Sequence, residues 1–415
     1  MPPHHMKYTL PILIAISLLS INPRVNGWNE ASRMALTQSL VEEHSFIIDN
    51  SDFVETGDKV FIDGHFYSDK PPVPSILAAI VYWPLHQLGF RLGTEWNFAY
   101  YVIILFTIKL LWVLSVLAFK QTLSLLQVGE EKIGLLLAIY AFASIMFTWS
   151  STFNNHSLAA SSLAIGFMYY LQAKEHQGLK SLLFSGIFFG LAGAMDIPTS
   201  IFFVGFAALI LNKWKSIKQT FIFLGAAVFP LSIHLLINYS IGHTLLPLQV
   251  VPEFFMYEGS VWGNGVQANS MGYTFRYALI SLFGVKGFLW YNPLLFILIP
   301  LLVKEALSGG MLKLESRVIA LCSVILLGYY FIFTPNYGGW SYSIRWFVPL
   351  LPFFFTYSYR MDKLWATKNG NMLITGLVVL SILIASIGLI NPWSNPDYHS
   401  IPLIANLRQF MQFVR

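Results

Sequence analysis

The sequence predicts an all-α integral membrane protein, a polytopic helical bundle of about eleven spans whose long first outer loop carries surface helices. Three observations predict it. Hydrophobic residues make up 56% of the 415 and charged residues only 11%, whereas a soluble domain is roughly half apolar and about a quarter charged. Apolar runs recur along almost the whole length, and no stretch between them has the composition of a soluble domain. The lysines and arginines behind the net charge of +5 gather in short segments between those runs, as the positive-inside rule expects of cytoplasmic loops. The same distribution argues against a nucleic-acid partner, which wants a contiguous basic surface. The single cysteine, Cys322, lies in an apolar run, which excludes a disulfide framework and a thiolate metal site.

A span needs about twenty apolar residues. The first candidate, 8–22, has a basic flank before it, lacks an A-x-A-like cleavage site and precedes further spans, so it reads as an uncleaved first helix. The others are 98–119, 133–149, 157–173, 181–195, 198–211, 219–237, 287–303, 317–334, 345–359 and 371–390. Alternation then places Lys120 with Lys132, Lys174 with Lys180, the lysines of 212–218, the group Lys304, Lys313 and Arg317, and the group Arg360, Lys363 and Lys368 on the cytoplasmic side with the N-terminus. The apolar stretch 72–90 would flip every later basic loop if it crossed. It therefore reads as an interfacial or re-entrant helix inside the first outer loop, 23–97, which its Pro84 tolerates; a true span is the alternative. A second long outer loop covers 238–286. Residues 1–415 read as one polytopic membrane domain, with no repeat and no low-complexity tract.

This threading sorts the polar residues. Ordinary positive charge falls inside, while Asn29, Glu30, Arg33, Asp69, Lys70, His156, Asp196 and Arg345 fall outside. In "NGWNEASRMALTQSLVEEHSF" an asparagine can cap a helix, and Met34, Leu40 and Val41 give it a narrow apolar side, as in a helix lying along the membrane surface. Glu30, Arg33 and Thr37 share a face; the plain alternative to a site is an i, i+3 ion pair between the first two, worth a few tenths of a kcal/mol. In "YSDKPP" the prolines disfavour helix at Lys70 and stiffen the chain after it. That is either a surface turn or a rigid mount holding Lys70 where a lipid phosphate lies. The aromatic, Gly-rich "TPNYGGWSYSIRWFVPLLPF" brings Arg345 to an outer helix end, where it can snorkel or clamp a phosphate with two parallel bonds. His156 and Asp196 stand at other outer helix ends, where capping is the plain reading.

The order of these motifs, with "GVKGFLWYNPLL" among them, resembles the polyprenyl-phosphate-sugar-dependent glycosyltransferases of the GT-C fold. That superfamily includes the protein O-mannosyltransferases and the aminoarabinose transferases that modify lipid A. The resemblance covers nearly the whole chain and speaks for the superfamily, not for a substrate. In such enzymes an acidic residue of the first outer loop, usually from an Asp-Glu pair directly after the first span, serves as general base or orients the acceptor. Here the pair reads Asn29-Glu30, so the implied catalytic role falls on Glu30 alone. The family's next basic residue matches Arg33, its acidic-or-His, Lys, Pro turn matches Asp69-Lys70-Pro71, and its late W…R…P…PF pattern matches Trp340, Arg345, Pro349 and Pro352.

The resemblance implies transfer of a sugar from a polyprenyl-phosphate donor to an acceptor hydroxyl on a glycan, lipid or protein, with inversion expected at the sugar. Glu30 is expected as the base and Arg33, Lys70 and Arg345 as the donor-phosphate clamp. Asp69, Asn29, His156 and Asp196 are expected in support or around a divalent metal, the one cofactor that the chemistry suggests. The loop 238–286, with Glu253, Tyr257, Glu258 and Trp262, has the aromatic composition of a cover over a sugar site. Membrane lipids surround the chain, and a bacterial inner (plasma) membrane with the active site on the periplasmic or extracellular face is the expected location. The rival readings are a transporter or lipid flippase, which would bury ionisable groups such as Lys109 and His234 along a path, and a non-enzymatic scaffold. Convergence of residues 30, 33, 70 and 345 in one outer cavity discriminates between them.

Overall fold

In the computed structural model, residues 6–414 are described except 177, 263–267, 335 and 395–399. The chain enters through α1 (Met6–Leu19), then α2 (Trp28–Glu42), a two-stranded antiparallel hairpin of β1 (Lys59–Ile62) and β2 (His65–Ser68), and α3 (Pro72–Gln87). A long helix comes next, formed by α4 (Phe98–Ile104), the wider π-type turns Leu105–Lys109, and α5 (Leu110–Leu125). After α6 (Glu130–Phe142) and α7 (Ile145–Trp149) come the central helices α8 (Asn155–His176), α9 (Leu179–Met195), α10 (Ser200–Trp214) and α11 (Ile217–Gly242). The remainder comprises α12 (Met271–Phe283), α13 (Leu295–Ser308), α14 (Lys313–Phe333), α15 (Leu351–Thr356), α16 (Asp362–Trp365), α17 (Lys368–Gly388) and α18 (Pro402–Val414).

Among the described residues, five helical stretches are long and apolar enough to cross a membrane: Phe98–Leu125, Ile197–Trp214, Ile217–Gly242, Lys313–Phe333 and Lys368–Gly388. Each falls on an expected span, and the shorter apolar helix Leu179–Met195 falls on another. The protein is thus an integral membrane helical bundle. The other expected spans are helical in different ways. The stretch 133–149 breaks at Ser144, whose hydroxyl caps α7 by accepting from Met146 N–H. At 345–359 Pro349 and Pro352 divide the chain into 3₁₀ turns and the short α15. In 287–303 only the part from Leu295 onward is helix.

Close helix crossings rest on missing side chains. A Cβ at Gly190 would run into the Ala227 carbonyl, and one at Gly186 into the Phe223 carbonyl, so α9 and α11 meet backbone to backbone, the small-residue contact by which helices associate in lipid.

Two polar groupings sit at opposite ends of α8. His156 is in its first turn and Lys174 in its last, about 27 Å apart at 1.5 Å per residue. Around Lys174 lie Glu315, 2.7 Å away, and the neighbouring pairs Arg360–Glu305 and Lys132–Asp362, the last at 2.7 Å. These are the segments expected on the cytoplasmic side. The residues expected outside gather at the His156 end.

Candidate active site

α2 is not the half-exposed surface helix that its sequence suggests. Every residue from Ser32 to Ser39 is buried, as are Asn29, Glu30 and Val41. Most of its buried polar side chains find a partner, the Ser39 hydroxyl being an exception. Ser32 shares a hydrogen bond with Ser68 at 2.7 Å, Thr37 donates to the Arg33 carbonyl at 2.8 Å, and Gln38 accepts from Ser51 at 2.8 Å. The expected Glu30–Arg33 ion pair does not form; the two side chains leave the helix toward different neighbours.

Glu30 turns inward. One carboxylate oxygen accepts from the Asn26 N–H at 2.8 Å, tying down the chain just before the helix as a capping-box glutamate does. The other accepts from the hydroxyls of Tyr100 and Thr152 and from the Phe153 N–H at 3.2 Å. Trp393 in turn donates to the Thr152 hydroxyl at 3.1 Å. Burial pushes the Glu30 carboxyl above the ordinary carboxylate range, against the opposing pull of the Thr152, Tyr100 and Asn26 hydrogen bonds. Three of these donors converge on one oxygen, and the other oxygen carries the Asn26 N–H alone.

Arg33 points the other way and is fully buried. Its guanidinium donates to the Asn29 side chain and carbonyl, at 2.5 and 2.9 Å, and to Asn155 at 2.8 Å. Its Nε–H has no partner. Burial lowers its pKa to about 10, with the Asp69 carboxylate opposing and Arg345 adding to the fall. Arg345 repeats the pattern: it donates to the Gly338 carbonyl at 2.6 Å, lies over the Trp393 ring at 4.8 Å, and leaves its own buried Nε–H unpaired. Among the described residues, neither guanidinium has a carboxylate within ion-pair distance.

The hairpin and the start of α3 supply the third cation. Pro71 and Pro72 begin the helix, so the chain leaves β2 and turns at Asp69-Lys70. The Lys70 ammonium lies 2.9 Å from both Asp69 and Asp58. Lys70 and Asp58 retain 12% and 11% side-chain exposure, which makes them the edge of an otherwise closed cluster. Asp69 also accepts from Ser32 at 3.4 Å; burial raises its pKa, Lys70 opposes the rise and Asp58 adds to it. Nearby, His156 Nδ1 and Asp196 are 2.8 Å apart, and Tyr330 donates to the same Asp196 at 3.2 Å.

The structure therefore brings Asn29, Arg33, Asp69, Lys70, His156, Asp196 and Arg345 into one electrostatic neighbourhood, with Glu30 at its inner side. Two members escaped the sequence reading. Asp58 is one. The other is Lys286, buried, donating to the Gly339 carbonyl at 2.6 Å, its pKa pushed down to about 8 by burial and by Arg345. Lys286 lies inside "GVKGFLWYNPLL", where a lysine in an apolar motif was the available signal.

Of the second loop, Tyr257 donates to the Lys59 carbonyl at 3.3 Å and packs edge-on to Phe66 at 5.3 Å, while Trp262 donates to the Gly57 carbonyl at 3.1 Å. Both therefore rest on the hairpin that carries Asp58. Glu253 and Glu258 are exposed, and 263–267 lie outside the described residues. For a metal ion, no group of three or more His, Cys, Asp or Glu side chains comes together among the described residues. The nearest acidic pair, Asp58 and Asp69, is already bridged by the Lys70 ammonium, so it does not by itself form a cation site.

No protein-family model matches the chain, and no curated protein matches it in sequence. Solved structures match it in shape. ArnT from Cupriavidus metallidurans bound to undecaprenyl phosphate aligns with a TM-score of 0.55 at 10% identity, over 97% of this chain and 76% of that one. The same enzyme in its apo state gives 0.54 at 11% identity over the same shares. The Archaeoglobus fulgidus oligosaccharyltransferase in complex with Zn and sulfate gives 0.52 at 13% identity, over 94% of this chain and 54% of that one. The chain thus spans about three quarters of ArnT and about half of the oligosaccharyltransferase. Its fold is the one these structures share, the GT-C fold.

Proposed function

We propose that the chain is a membrane glycosyltransferase that moves a sugar from a polyprenyl-phosphate donor to an acceptor hydroxyl at the end of the bundle where α8 begins, with inversion at the sugar carbon. One observation carries this reading. Two buried guanidiniums, Arg33 and Arg345, each keep an unpaired Nε–H and no carboxylate partner among the described residues. Burying a charge without a partner is costly, and a phosphate that docks between them supplies the missing acceptor oxygens in the paired geometry guanidinium favours. Lys70, at the exposed edge, meets the phosphate first, and Lys286 adds charge behind Arg345. ArnT was solved with undecaprenyl phosphate bound, which fits a donor of this class.

In the transfer, the bond between the sugar's anomeric carbon and the phosphate oxygen breaks as the acceptor oxygen bonds to that carbon. The electron pair leaves with the polyprenyl phosphate, whose growing charge Arg33, Arg345 and Lys70 stabilise, and the acceptor proton passes to a carboxylate. The family resemblance points that role to Glu30. Its full burial and its ties to Asn26, Tyr100, Thr152 and Phe153 make it a positioning residue in this reading, holding the start of α2 against Thr152 and Phe153. Asp69 has acceptor capacity left, stands beside Lys70 and is raised toward a base's working range by burial. We therefore assign the proton to Asp69. Asn29, His156 and Asp196 orient the guanidinium side of the cluster, and Tyr257 with Trp262 covers the hairpin over it. The membrane is taken as a bacterial inner membrane with the site on the non-cytosolic face.

A transporter would need ionisable groups strung along a path. Lys109 and His234, the expected markers of such a path, are held locally by Ser20 and Ser150 and by the Ala194 carbonyl. The deciding experiment is transfer from a panel of polyprenyl-phosphate sugars in reconstituted vesicles, with and without chelator. The reading expects turnover with at least one donor; none across the panel, with lipid or solute movement instead, overturns it.

A further inference from the structure

Lys109 is a buried cation that the candidate active site does not use. It closes the π-type turns Leu105–Lys109, where the regular hydrogen-bond ladder of a long helix is interrupted and Thr107 donates to the Ile103 carbonyl at 2.6 Å. Such single π turns occur often at functional sites. Its ammonium donates to the hydroxyls of Ser20, at 2.7 Å, and Ser150, at 2.9 Å, and lies over the Trp112 and Phe147 rings at 5.2 and 5.4 Å. Among the described residues no carboxylate pairs with it. An ionisable lysine inside a membrane protein is retained at a cost and marks a partner or a site.

Two of those neighbours, Ser20 and Phe147, line a cavity of about 680 Å³ between the end of α1, the α6–α7 break, the end of α17 and α18. That volume lies within the usual range for small-molecule sites. Its walls are of two kinds. Ile16, Leu19, Phe142, Phe147, Ile382 and Ile390 make an apolar side from the ends of membrane helices, while Arg24, Asn26, Asn391 and Gln409 make a polar mouth. Among the described residues the lining contains a cation and no carboxylate. Ser20 accepts from Lys109, and among the described residues its own proton has only the distant Ser17 carbonyl, at 3.5 Å, as acceptor. It is therefore placed to donate into the cavity and to carry the lysine's charge to whatever binds there.

We propose that this cavity binds a membrane lipid with a negatively charged headgroup, the headgroup facing Ser20, Arg24 and the buried Lys109 behind them, and the chain lying against the apolar wall. The two-sided lining selects a lipid over a free anion, and Arg24 in the lining, with Lys109 behind Ser20, selects an anionic lipid over a zwitterionic one. No residue of the Arg33–Lys70–Arg345 cluster lines the cavity; the link between them is Asn26, which lines it and whose N–H holds Glu30 at 2.8 Å. The site does not depend on the transferase reading.

The test uses the full-length protein in neutral detergent, titrated with phosphatidylglycerol, with phosphatidylcholine and with inorganic phosphate, reading retained lipid by native mass spectrometry and the melting temperature. Wild type is expected to retain phosphatidylglycerol about tenfold over phosphatidylcholine, a difference of about 1.4 kcal/mol, and to be stabilised by phosphatidylglycerol alone. Lys109→Gln and the milder Ser20→Ala bring the two lipids to parity, while Lys70→Ala keeps the preference. Equal retention in wild type, equal stabilisation by inorganic phosphate, or a preference lost in Lys70→Ala and kept in Ser20→Ala overturns the proposal. Where Lys109→Gln fails to fold, Ser20→Ala decides.

Discussion

Asp58 and Lys70 meet at 2.9 Å, with Asp69 at the same distance from the same ammonium. The register of the hairpin makes this contact. Lys59 pairs with Ser68 across the two strands, so the next residues outward, Asp58 and Asp69, face each other and the lysine after them closes over both. Asp58→Asn removes one of two anions holding the ammonium. The expected result is a weaker hold on Lys70 and an altered KM for the donor with folding intact; an unchanged KM places Asp58 outside the donor site.

Arg345→Lys and Arg33→Lys keep the charge and lose the planar fork. Each is expected to lower kcat by about 10²–10³-fold, the usual cost of losing one preorganised donor to a developing oxyanion. Turnover assays in reconstituted vesicles read this directly, and near-normal rates in both variants remove the clamp from the account.

Asp69 must be ionised to accept the proton, and its pKa lies above the usual carboxylate range because it is buried. Turnover is therefore expected to fall as pH drops through that raised value, and Asp69→Asn to lose most activity at every pH. A wild-type profile with no acid limb, or an active Asp69→Asn enzyme, contradicts the assignment.

Glu30 behaves differently. Folded Glu30 binds its proton more tightly than the unfolded chain does, so its contribution to stability is complete below the unfolded value, near 4.3, and is lost as pH rises through the raised folded one. Glu30→Gln is expected to flatten that slope and to cost about 1–3 kcal/mol, because an amide cannot accept from all four donors. Denaturant unfolding in detergent at several pH values checks it. An undiminished melting temperature with abolished turnover returns the base to Glu30.

Gly190→Leu tests the bundle away from the site. Its side chain has no room against the Ala227 backbone, and overpacking of this kind costs about 1–3 kcal/mol or more. Thermal unfolding that matches wild type argues against the close α9–α11 crossing.

Much of this was legible from residue patterns. Apolar length and loop charge predict the helical membrane bundle, and the separation of the Lys174 end from the His156 end comes from the same loops. The spans read less well where Ser144, Pro349 and Pro352 break helices inside apolar runs, because composition does not show where a helix stops within lipid. The hairpin was missed although "KVFIDGHFYS" carries its signal: Asp63 and Gly64 both take positive φ, 50° and 88°, the two-residue turn that an Asp-Gly pair favours. Reading that turn would have set Asp58 opposite Asp69. Glu30's inward turn had no such signal, since its partners Tyr100, Thr152 and Phe153 come from distant segments, and helical spacing cannot say which neighbour a side chain chooses.

The central claim is that the buried guanidiniums await a lipid phosphate. Equilibrium binding of undecaprenyl phosphate and of undecaprenol to the purified protein, measured by quenching of tryptophan emission near Trp393, tests it most directly. The account predicts saturable binding of the phosphate, much weaker binding of the alcohol, and loss of the difference in Arg33→Lys and Arg345→Lys. Equal binding of both lipids to wild type, or an undiminished difference in both variants, would contradict it.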